Sequence, residues 1–164
     1  MMTTLVEGAR ALLAEASASQ LTSALDLTEF GGIRAPWTNP LTVTNATGSL
    51  AARYSTSSVA TNADAKGLKD QLVLTIKTGV TTCTNAGSAA TGTSIYTGDL
   101  DSTAGKLVGD VAQGAQAGDR ALAAGVASET LCFQVSLPSA TGNACTSAAT
   151  TATFTFDAEQ TANN

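Results

Sequence analysis

Near the C-terminus, Thr151, Thr153 and Thr155 alternate strictly with Ala152, Phe154 and Phe156. A period of two is the pattern of a β-strand with one face toward a core. The whole chain has only four phenylalanines, so two of them on one face of one strand fix where a core must lie. Each buried aromatic gains roughly 1.5–3 kcal/mol over an exposed one. The sequence therefore predicts a strand over Thr150–Asp157 held inside a sheet, after which the polar tail leaves it.

The same period recurs upstream. In TLCFQVSLP, Leu131, Phe133, Val135 and Leu137 share one face, and in LVLTIKTGV, Leu72, Leu74 and Ile76 do. LTSALDLTEF alternates Leu21, Ser23, Leu25 and Leu27 less cleanly. GGIRAPWTNP reads as a Gly/Pro loop carrying Trp37, and LTVTN and SLAARYSTSSVATN as strands around the turn NATG. NADAKGLKDQL suggests a short helical turn capped by Asn62, with Gly67 weakening its middle. GTSIYTGDL is a further strand, and the Gly-punctuated stretch from Asp101 to Gly125 is mostly loop with one strand near Lys106–Val108. About eight short strands between turn residues predict an all-β, jelly-roll-like β-sandwich with short helical turns.

The first residues break the pattern. Leu5, Ala9, Leu12, Leu13 and Ala16 recur at helical spacing, which is the local signal of an amphipathic helix. Glu7 and Glu15 interrupt the apolar run, so it reads neither as a signal peptide nor as a membrane span. The expected organisation is an N-terminal extension over 1–19 and a sandwich domain over 20–164.

Charged residues make up 13% of the chain, about half the usual share, and hydroxyls take their place on the surface. With a net charge of −5 and no Lys/Arg run, the electrostatic footprint of nucleic-acid binding is missing. Histidine is absent, which removes Ser-His and Cys-His pairs and every His-based zinc site. No GxSxG nucleophile is present either. Asp70, Asp119, Glu129 and Asp157 remain as acids without a partner visible in sequence, and the chain reads as a non-enzyme that needs no cofactor.

Three cysteines, Cys83, Cys132 and Cys145, lack metal spacing. Cys132 points away from the apolar face of its strand, and Cys83 follows an apolar run. A Cys83–Cys132 bridge would close a long loop, worth ~4 kcal/mol in the chain-entropy model, and would fit a compartment outside a reducing cytoplasm. Cys145 would then be free; three buried thiols are the alternative. Asp99, Asp101 and Asp110 occupy positions of a calcium-loop frame, but Ala104 stands where that frame needs glycine, so a solvated acidic loop fits better. Asn45 heads an Asn-Ala-Thr acceptor pattern for glycosylation and is expected to be unmodified.

Four segments, PLTVTNATGSLAARYS, GLKDQLVLTIKTGVTTC, AQAGDRALAAGVASETLCFQVSLP and TATFTFDAEQTANN, occur in the order seen in the TasA/camelysin family, which the chain resembles over residues 40–164. Residues 1–39 depart from that pattern. The resemblance implies a jelly-roll protein released by a SipW-type signal peptidase, secreted to the cell surface or biofilm matrix. It also implies filaments in which one subunit's N-terminal segment completes the sheet of the next. The partner is then a second copy of the chain, with other matrix components as further partners. The metallopeptidase label of camelysin transfers badly, since no HExxH is present. Within this expectation, residues 1–19 are the donor strand, and Leu5, Leu12 and Leu13 fill the neighbour's groove. A helix packed on its own sandwich is the competing arrangement. A surface adhesin on the same fold and, less readily, a secreted peptidase are the competing functions.

Overall fold

The computed structural model describes the chain except residues 1–9, 14–18, 29–35, 46, 48, 102–105, 142, 146 and 162–164, and only the backbone of 10–13, 19–28 and 144. Among the described residues there are nine strands: β1 (Arg10–Leu13), β2 (Ser19–Thr28), β3 (Trp37–Asn45), β4 (Ala52–Ala60), β5 (Val73–Thr78), β6 (Thr93–Asp99), β7 (Arg120–Leu122), β8 (Ser128–Ser136) and β9 (Ala149–Gln160). One short helix, α1 (Asn85–Ala90), interrupts the run between β5 and β6.

The strands form two sheets, in the orders β1-β3-β8-β5-β6 and β2-β9-β4-β7. All pairings are antiparallel except β1 with β3, which runs parallel. The protein is an all-β sandwich. Its core is built by the alternating faces that the sequence marks. Leu41 and Val43 of β3, Leu74 and Ile76 of β5, and Leu131, Phe133 and Val135 of β8 are buried. They meet Ala52, Tyr54 and Ala60 of β4 and Ala152, Phe154 and Phe156 of β9 from the opposite sheet.

The C-terminal strand is longer than expected. Asp157 through Gln160 stay in β9, paired with Ala52 through Ser55 of β4, because Ala158 continues the buried face. β9 lies between β2 and β4. The register sets Leu21, Leu25 and Leu27 of β2 opposite Phe156, Ala152 and Thr150.

Several local expectations are corrected. Arg10–Leu13 is strand, not helix, paired from Arg10↔Thr42 to Leu13↔Asn45; the ladder of β3 outweighs the helical spacing. Trp37 opens β3 rather than sitting in a loop, opposite Val135. Asn62 caps no helix: its side-chain oxygen accepts the Gly67 N–H at 2.8 Å, while Gly67, at φ +69°, itself precedes the 3-10 turn Leu68–Asp70. Near Lys106, Val108 makes a single bridge to Thr56, and the true strand is β7, a dozen residues on. Helix α1 has a readable start, since the Thr84 hydroxyl accepts the Gly87 N–H at 3.1 Å.

Candidate functional site

Among the described residues, two places bring chemistry-bearing residues together. The first is at one end of the sandwich, where β3 ends and β8 begins. Glu129 is two residues before Leu131, so the alternation of β8 aims its carboxylate between the sheets. Tyr54 of β4 reaches across from the other sheet and donates its hydroxyl to Glu129 Oε2 at 2.7 Å. The Thr78 hydroxyl of β5 donates to Oε1 at 2.9 Å. Arg120 of β7 closes the set, with Nε 3.1 Å from Oε2 and Nη2 on Oε1.

This geometry sets the charges. Burial works to raise the Glu129 pKa, but the Arg120, Tyr54 and Thr78 hydrogen bonds outweigh it and hold the carboxyl below the ordinary glutamate range. Burial, reinforced by the Glu129 hydrogen bond, pushes the Tyr54 phenol far up. The Glu129 hydrogen bond likewise raises Arg120. A carboxylate locked in its ionised form by donors on both oxygens is poorly matched to proton transfer near neutral pH, for which its pKa would have to move the other way. The cluster ties one sheet to the other.

Asn45 stands close by, at the end of β3, and is buried. Its Nδ2 donates to the carbonyls of Leu50 and Ala123, each at 2.8 Å, and its backbone N–H donates to Ala127. Both amide hydrogens are used inside the protein, so this nitrogen is unavailable to a glycan.

The second place is the outer face of the β3-β8-β5 sheet. Cys132 points outward there and is bonded to Cys83, with Cα atoms 5.5 Å apart and a sequence separation of 49. The bond fastens the excursion carrying α1 to β8. Lys77, opposite Cys132 in the register, donates to the Ser88 carbonyl and lies 3.5 Å from that of Thr91. Gly87 belongs there because a Cβ would meet the Thr82 carbonyl oxygen at 1.9 Å. Cys145 is free and half-buried, its thiol 3.3 Å from the Lys66 carbonyl.

The other residues singled out by sequence are dispersed. Asp101 pairs with Lys69 at 2.8 Å, Asp110 pairs with Lys106, and Asp99 ends β6. Asp101 and Asp110 are thus each paired with a different lysine. Among the described residues no group of three or more His, Cys, Asp or Glu could hold a metal ion. Asp70 pairs with Lys69 at 2.9 Å, and Asp119 accepts the N–H groups of Asp110 and Gln116, at 3.0 and 2.8 Å. Asp157 is half-buried on β9. Leu12 and Leu13 fall on β1, where only the backbone is described, and Leu5 lies outside the described residues.

Sequence reasoning missed the Glu129 cluster as a unit. An acid in line with Leu131, Phe133 and Val135, on the otherwise apolar face of its strand, was the available signal. Nothing local pointed to Arg120. No family model matches the chain, and no curated protein matches it. Among the described residues no helix is long and apolar enough to cross a membrane.

Proposed function

We propose that this chain is a structural, non-enzymatic subunit of an extracellular filament, polymerising head to tail by donor-strand addition. The observation that carries the reading is the position of β1. It is a four-residue edge strand, parallel to β3, drawn from the segment ahead of the rest of the sandwich. A neighbour's β1 could make the same ladder with the same register, so exchange between copies conserves its hydrogen bonds. Head-to-tail exchange does not close on itself and gives a filament. The low charge and the Cys83–Cys132 bridge support an exported setting. The four segments that resemble the TasA/camelysin family support the same reading, including its jelly-roll connectivity and its matrix location.

Deleting residues 1–19 tests it. The full chain should form filaments of fixed repeat by electron microscopy, and the truncated chain should not. A truncated chain that still polymerises, or a full chain that stays monomeric at high concentration, overturns the reading. An adhesin on this fold would stay monomeric in both forms.

A further inference from the structure

A sandwich built from two open sheets has four edges, and β1 and β2 account for two of them. The others are β7 and β6. Strand β7 is three residues long and carries Arg120, and shortness and charge both discourage pairing with another chain. Strand β6 has neither protection. It runs seven residues, Thr-Ser-Ile-Tyr-Thr-Gly-Asp, with one charge at its far end and, among the described residues, a strand neighbour on the β5 side alone. By length and polarity it should be a template for a second chain.

Its own side chains are arranged against that. The hydroxyls of Ser94 and Thr97 both donate to the Tyr96 carbonyl oxygen, at 3.1 and 2.9 Å, and lie 3.0 Å from each other. The Tyr96 hydroxyl donates to the Asp99 carbonyl at 2.8 Å. Tyr96 reaches it by lying over Gly98, where a Cβ would meet the phenol oxygen at 2.8 Å and the ring at 3.1 Å. Glycine is what lets the ring lie along its own strand. Tyr96 and Asp99 are three apart with no bulge between them, so their carbonyls leave opposite sides of the strand and one of the two faces the free side. A bulge at Ile76/Lys77 further breaks the regular ladder that an added strand would copy.

We propose that β6 is an edge closed by its own hydroxyls against pairing with a second copy of this chain, which confines strand exchange to the N-terminal side of the sandwich. The occupant excluded is another β6, the self-complementary partner an isologous edge-to-edge contact would use. The inference does not require that filaments form.

The test is the full chain carrying Ser94→Ala, Tyr96→Phe and Thr97→Val together, which keep size and remove the three donors. Sedimentation should show the uncapped chain associating sideways where the unaltered chain does not. If the chain makes filaments, electron microscopy should show them pairing into bundles. Thr93→Lys, added in the same background, should return the behaviour to that of the unaltered chain, because an edge lysine blocks strand pairing. An uncapped chain that associates no more than the unaltered one overturns the proposal. So does association that Thr93→Lys leaves in place, since it would come from another surface or from unfolding.

Discussion

Phe154 of β9 meets Phe133 of β8 edge to face across the gap between the sheets, ring centroids 5.1 Å apart. The contact joins the central strand of one sheet to an inner strand of the other, and both rings are 4% exposed. Aromatic pairs of this geometry add about 0.5–1.5 kcal/mol to the area they bury. In a chain with 4% aromatic residues, small side chains cannot compensate for one lost ring. Phe154→Ala should therefore cost ~3–5 kcal/mol in denaturant unfolding, enough to remove most of a domain's stability. A loss below ~1 kcal/mol, the level of an ordinary surface change, would show that the inter-sheet packing is not as described.

Breaking the Cys83–Cys132 bond releases a loop of 49 residues in the unfolded chain. The Cys83→Ser/Cys132→Ser double variant should lose ~4 kcal/mol by the loop-entropy relation. Lys77 still donates to the Ser88 carbonyl, so the native excursion should keep its place on the outer face. Calorimetry with and without reductant checks the size of the loss. Thiol labelling of the native, unreduced protein should modify Cys145 alone.

Asn45→Ala removes both hydrogen bonds from Nδ2 and leaves the Leu50 and Ala123 carbonyls without that donor. The cost should be about 1–3 kcal/mol, the net worth of two hydrogen bonds from a buried amide whose acceptors belong to exposed residues that water can reach. Mass spectrometry of chain made in a glycosylating host should find Asn45 bare.

The parts of the fold that could be read in the sequence are those where burial follows a period of two. β5, β8 and β9 show Leu74, Ile76, Leu131, Phe133 and Phe154 at the alternating positions, and the structure buries them all. The misread parts lack that information. The three residues of β7 cannot display a period, and their pairing with Ala52, Arg53 and Tyr54 is a long-range choice. At Arg10–Leu13 a helical spacing gave way to a ladder supplied by β3, whose paired residues lie more than thirty positions away in sequence. At the polar end of β9, where Ala158 continues the buried face, Arg53 stands directly opposite Glu159 with Nε 2.7 Å from Oε1, a cross-strand pair that no local pattern displays. The Glu129 cluster draws its members from four strands, so no window of sequence contains it.

The cluster also makes stability depend on pH at both extremes. Glu129 has a folded pKa below its ordinary 4.5, so the unfolded chain binds its proton more readily than the folded one. Its contribution is complete above that ordinary value and is lost as pH falls through the lowered folded value. Glu129→Gln keeps the shape but surrenders the ion pair with Arg120, and should cost about 1.5–3 kcal/mol near neutral pH, the range for hydrogen bonds to a charged group. That difference from the unaltered chain should narrow steadily below pH 4.5. Tyr54 acts at the other end. Its folded pKa is raised far above the ordinary 10.0, so the contribution is complete below that value. Above it the unfolded chain ionises the phenol while the folded chain cannot, and stability should fall by about 1.4 kcal/mol per pH unit. Tyr54→Phe should flatten this alkaline slope while costing roughly 1.5–3 kcal/mol at neutral pH through the lost Glu129 hydrogen bond. Denaturant midpoints measured from pH 3 to 11 for the three proteins decide the matter. Parallel curves for the unaltered chain and Glu129→Gln in acid, or for the unaltered chain and Tyr54→Phe in alkali, would remove the cluster from the account of what holds the sheets together.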